Sequence, residues 1–130
     1  MAIKSKSFLT ATVMVAAMSV SGCNRSKDLI VEQVGGKIQA RFDDEEKGKV
    51  CINSVSVYKV GADISLRTEK DLVWNIALNA TRMGDCRSGI EILTTPKEFD
   101  EKVRRKLSRG RYLIQINGGL LSGQGFFELR

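Results

Sequence analysis

The chain has 130 residues, with 21 Lys and Arg against 15 Asp and Glu, for a formal net charge of +6. It contains no histidine, which excludes Ser-His-Asp and Cys-His nucleophiles and histidine-ligated metals. The length bounds the chain to one small domain with a single core.

Lys4 and Lys6 make a short basic start, residues 8–20 (FLTATVMVAAMSV) carry no charge, and Ser21, Gly22 and Cys23 follow. A basic start, a short apolar run and small residues before a cut are the parts of a secretory signal. As a helix, residues 8–20 would reach only about 20 Å, short of a bilayer core of about 30 Å. Val20-Ser21-Gly22-Cys23 resembles a bacterial lipobox, in which an aliphatic and two small residues precede a cysteine. The resemblance implies that residues 1–22 leave as a lipoprotein signal peptide and that Cys23 becomes the acylated N-terminus. Each buried methylene of such an anchor adds roughly 0.8 kcal/mol, and two chains hold stably. In enterobacterial lipoproteins an aspartate after the cysteine favours the inner membrane, so Asn24 points to the periplasmic face of the outer membrane.

Residues 24–28 (NRSKD) are polar. Residues 23–28 are therefore expected to be a lipidated tether that keeps the domain, residues 29–130, close to the membrane. Residues 29–34 and 37–42 are β-prone and flank Gly35-Gly36, a tight-hairpin signal because both turn positions accept positive φ. Ile30, Val34, Ile38, Ala40 and Phe42 are the candidates for one face. Residues 43–48 (DDEEKG) make a charged turn. Val55 and Val57 alternate with Ser54, Ser56 and Tyr58, Gly61-Ala62 turns the chain, and Ile64 and Leu66 alternate with Ser65 and Arg67. Leu72, Trp74, Ile76 and Leu78 alternate with Val73, Asn75, Ala77 and Asn79, the period of a half-buried strand. Trp74, the single tryptophan, is the expected core anchor.

Residues 80–89 read as a loop and residues 90–93 as a short strand. Thr95-Pro96-Lys97-Glu98 resembles a capping box, and Phe99, Val103 and Leu107 follow at i, i+4 and i+8. This spacing admits one short helix near 96–107, ended by Gly110. Tyr112, Ile114 and Ile116 mark another strand. Asn117-Gly118-Gly119 and Ser122-Gly123-Gln124-Gly125 read as turns, and residues 126–129 as the last strand. In an oxidising compartment Cys51 and Cys86 form an even pair, expected to be a disulfide. About seven short strands, one late helix and one bridge predict an all-β fold, a small disulfide-bridged β-sandwich.

Asp43, Asp44, Glu45 and Glu46 lack the spacing of a calcium loop. No metal or cofactor is expected, and no catalytic residue stands out. The densest charge lies at Lys102, Arg104, Arg105, Lys106, Arg109 and Arg111, partly offset by Asp100 and Glu101. The bland reading is a solvated face. The functional one is a docking patch in which Arg104, Arg105, Lys106, Arg109 and Arg111 meet an anionic protein partner. The periplasmic address speaks against nucleic acid.

Cys51, Val73-Trp74, Cys86, Pro96 and Leu107-Ser108-Arg109-Gly110-Arg111-Tyr112, behind the lipobox, resemble the layout of small periplasmic lipoproteins described as type VI secretion immunity proteins. The match spans residues 50–130. It implies a non-enzymatic protein that neutralises a delivered toxin by occlusion. Two departures stand: the family's proline segment is an extended loop rather than a helix, and the final strand here lacks the cysteine of many relatives. The same architecture also suits a structural lipoprotein of a secretion or outer-membrane complex, or a lysozyme inhibitor.

Overall fold

The computed structural model describes residues 25–43, 50–61, 68–82 and 86–130. Cys23, Asn24, most of the acidic turn and the alternation around Ile64 and Leu66 lie outside them. Among the described residues, nine strands and two short 3₁₀ turns follow one another: β1 (Arg25–Asp28), β2 (Ile30–Val34), β3 (Lys37–Arg41), β4 (Ser54–Lys59), a turn at Glu69–Asp71, β5 (Leu72–Leu78), a turn at Ala80–Arg82, β6 (Gly89–Glu91), β7 (Phe99–Arg104), β8 (Gly110–Asn117) and β9 (Leu121–Leu129). They build a six-stranded sheet, β1-β9-β8-β4-β5-β7, and a three-stranded sheet, β2-β3-β6. The all-β reading holds.

Period-two alternation decides which side chains meet between the sheets. From the large sheet Val55, Val57, Trp74, Ile76, Tyr112, Ile114, Ile116, Leu121 and Phe127 are buried, and Ile38, Ala40 and Ile90 answer from the small one. Leu29, Phe42, Val50, Ile52 and Ile92, on the connections, close the same core. Full burial stabilises each large aliphatic or aromatic side chain by about 1.5–3 kcal/mol. The Tyr112 and Phe127 rings stack with centroids 5.1 Å apart.

The bridge between Cys51 and Cys86 is present, with Cα atoms 4.9 Å apart. Cys51 leads into β4 of the large sheet and Cys86 into β6 of the small one, so the bond staples one sheet to the other. The backbone seconds it beside the bridge, where the Ile52 N–H donates to the Arg87 carbonyl at 2.8 Å.

Four readings change. Residues 25–28, expected to be part of a polar tether, form β1, which pairs parallel with β9 from Arg25↔Leu121 to Asp28↔Gln124. The β2–β3 hairpin turns at Gly35 and Gly36, at φ 58° and 80°, but Ile30 and Val34 do not share a face with Ile38 and Ala40. The two-residue turn pairs Val34 with Lys37 and Val31 with Ala40, so side-chain parity flips across it. Leu29 and Val31 therefore point to the core, and Val34 is 68% exposed.

The helix expected near 96–107 is absent, and β7 takes its place, antiparallel to β5. Spacings of i, i+4 and i+8 fit a strand as well as a helix, and the i+3 and i+7 positions that would tell them apart hold Lys102 and Lys106. Glu98 does not cap: its carboxylate pairs with Arg87, and Pro96 accepts the Phe99 N–H at 3.0 Å in a turn. A register shift at Asn75/Ile76 then sets Val103 opposite Asn75, off the face that carries Phe99.

Residues 122–125 are not a turn. They lie inside β9, nine residues long. Gly123 is buried on the inner side, where a Cβ would sit 2.8 Å from Leu29 Cγ and 2.9 Å from Phe42 Cε1. Here glycine marks a close approach inside a strand rather than its end. Gly123→Ala is expected to destabilise by about 1–3 kcal/mol through overpacking, read as a lower urea midpoint at constant m-value. An unchanged midpoint would show that Leu29 and Phe42 can give way.

Candidate partner-binding site

The basic residues belong to the end of β7, the connection to β8 and the start of β8. The Arg105 N–H donates to the Val73 carbonyl at 2.7 Å, which carries the chain on past the end of β7. Tyr112 pins the connection from beneath: its hydroxyl donates to the Ser108 carbonyl at 2.6 Å and accepts the Ser108 N–H at 3.0 Å. Lys59 Nζ adds a bond to Ser108 Oγ at 2.6 Å. The segment is thus fixed by a core aromatic rather than left as a free loop.

Arg104, Arg105 and Lys106 ring a recess of about 560 Å³ whose other walls are Leu93, Leu107 and Leu129. The three leucines are partly buried and pack against the core, so the floor is apolar and continuous with it. The rim is pre-ordered. Arg104 donates through Nε to Glu101 at 2.7 Å and through Nη2 to the Leu93 carbonyl at 2.6 Å. Arg105 Nη1 donates to the Lys70 carbonyl at 3.0 Å. Leu93 itself has φ 71°, a left-handed conformation that costs a non-glycine residue roughly 1–2 kcal/mol. Such strain gathers where the surroundings over-determine a side chain's direction, and here it aims a leucine into the recess.

The remaining two cations lie apart from that ring. Arg111 stands on the outer face of β8, its guanidinium 4.3 Å from the centroid of the Phe126 ring. Arg109 is exposed on the connection. Among the described residues no carboxylate lies in ion-pair distance of Arg105, Lys106, Arg109 or Arg111.

The neighbouring acids are occupied elsewhere. Glu101 accepts from Trp74 Nε1 at 2.9 Å, from Arg104 and from Thr95 Oγ1 at 3.1 Å, and the Trp74 bond above all holds its carboxyl below the usual range. Asp100, expected to offset the patch, turns to Arg82 and to Asn79 Nδ2 at 2.9 Å. The Arg82 bond lowers its pKa first. Glu98 is buried, and the Arg87 bond likewise keeps it ionised. Among the described residues only Glu101 neutralises any part of the rim.

Of the residues expected to meet a partner, Arg104, Arg105 and Lys106 come together, while Arg109 and Arg111 flank them. Leu93 and Leu129 were not foreseen, because they come from distant segments and neither stands out along the chain. Cys23 lies outside the described residues. No family model, curated protein or solved structure matches the chain.

Proposed function

We propose that this protein is a lipid-anchored periplasmic binding protein that neutralises a secreted toxin by occlusion, seating an acidic segment of it on the basic recess. One observation carries the reading: two arginines and a lysine, the arginines braced by backbone carbonyls, surround an apolar floor. Arginine is one of the residues enriched at binding hot spots. The leucine floor supplies desolvated contact, and the cationic rim supplies rate and selectivity. An immunity protein needs no catalytic group for this, in keeping with the resemblance noted above.

The course of the chain supports an anchored role. β1 starts two residues after Cys23, beside Leu121. Leu129, at the other end of β9, lines the recess about 26 Å away at roughly 3.3 Å per strand residue. An acyl chain on Cys23 would therefore present the basic end away from the membrane.

Arg104→Glu combined with Arg105→Glu is expected to weaken binding of the toxin encoded beside the gene by more than about tenfold, roughly 1.4 kcal/mol, with most of the loss in the association rate at low salt. Unchanged affinity would remove the recess from the proposal. If no adjacent toxin binds and deletion blocks secretion without sensitising cells, the structural lipoprotein reading replaces immunity. Inhibition of a lysozyme by the purified protein would favour the third reading.

A further inference from the structure

The outer face of the large sheet holds a second recess, of about 310 Å³, well apart in character from the basic one. We infer that it is a binding site for an uncharged, polyhydroxylated ligand, a neutral oligosaccharide. The inference concerns a different face and does not rest on the toxin reading.

The site is laid out by strand register. One row runs Ser56, Gln115, Gln124 across β4, β8 and β9, and the next runs Ser54, Asn117, Ser122. These six side chains form a grid of amides and hydroxyls, closed by Ile116, Gly119 and Gly123. No lining residue is charged, in a chain that is 28% charged. An ordinary solvated sheet face needs no such exclusion. A neutral ligand does, because burying a lysine or glutamate against it would carry an uncompensated desolvation cost.

The hydrogen-bonding capacity is directed outward. A side-chain amide offers two N–H donors and an acceptor oxygen, a match for a hydroxyl that both gives and takes. The amides of Gln115 and Gln124 make no hydrogen bond with any described residue. Asn117 spends only Oδ1, on the Gly119 N–H at 2.9 Å, which leaves its NH₂ for a ligand. Asn75 Nδ2 donates to Ser56 Oγ at 2.8 Å, so the Ser56 proton is left to donate. The next register position holds Tyr58, Leu113 and Phe126, where Leu113 is fully buried and Arg111 lies over the Phe126 ring, so the grid ends there and the ligand contacts come from the amides and hydroxyls. A sugar presents an edge of hydroxyls that both donate and accept, and the two rows of amides and hydroxyls answer that edge.

The test is a ¹⁵N-edited titration of the full chain in sugar-free detergent micelles, with maltotriose in one arm, tri-N-acetylchitotriose in a second and a tetraglutamate peptide in a third. Saturable shifts of the Gln115, Gln124 and Asn117 side-chain amides are expected with at least one sugar, at a Kd of about 1 mM or tighter. The arm that responds tells whether acetamido groups are required. Gln115→Ala with Gln124→Ala should weaken that binding at least tenfold with the backbone spectrum kept. Arg104→Glu with Arg105→Glu should leave it intact. The site is overturned if neither sugar moves those amides, if only the peptide does, or if the double glutamine variant binds as well as the parent.

Discussion

Trp74→Ala is expected to cost about 3–5 kcal/mol and to lower the melting temperature by more than about 10 °C. Trp74 is fully buried in β5, with β4 and β7 paired on either side. Removing the indole takes away the largest side chain of the core and leaves a cavity that a rigid sheet pair cannot close. A second loss adds to it. The indole N–H is the leading bond on Glu101, and Glu101 in turn holds Arg104. Trp74→Phe separates the two effects: it restores most of the volume but not the donor. It should recover most of the stability while leaving Arg104 less firmly placed, seen as weaker partner binding. A melting temperature within 2 °C of the parent for Trp74→Ala would mean that the core is not organised around this ring. Thermal unfolding by circular dichroism decides it.

Cys51→Ser with Cys86→Ser is expected to cost about 2–5 kcal/mol. The bridge spans a sequence separation of 35, which in the chain-entropy picture corresponds to about 3–4 kcal/mol. Its position raises the stakes beyond loop length, because it joins the small sheet to the large one covalently, beside the backbone bond from Ile52 to Arg87. Both cysteines are exposed, so a reductant reaches them without prior unfolding. The parent protein should lose stability in dithiothreitol and the double variant should not respond to it. Equal melting temperatures for oxidised and reduced parent would show that packing alone joins the sheets.

What could be read along the chain is what depends on local pattern. β5 was legible because Leu72, Trp74, Ile76 and Leu78 recur at period two, although Val73, on the expected outer side, is buried in the core as well. The Gly35-Gly36 hairpin and the cysteine pair were legible for similar reasons, one from turn chemistry and one from counting. β7 was not, because a spacing of four serves both periods and Thr95-Pro96 imitates a helix start. β9 was cut short to residues 126–129 by Gly123 and Gly125, whose reason for being glycine lies in Leu29 and Val31, far away along the chain. β1 left no trace, since a short polar stretch becomes a strand only where β9 provides partners. The site divides the same way. Its cations announce themselves as a run, whereas its leucines are gathered by the fold from β9, the turn after β6 and the β7–β8 connection.

Among the described residues the large sheet does not close on itself, and its two margins differ. β1 is four polar residues long, and β7 carries Asp100, Glu101, Lys102 and Arg104 among its six. A long, flat, apolar margin is a template onto which another copy can zip, growing into a fibre. Brevity on one side and alternating ions on the other remove that template. Molecules crowded at high surface density would then find no long apolar margin on this sheet to extend.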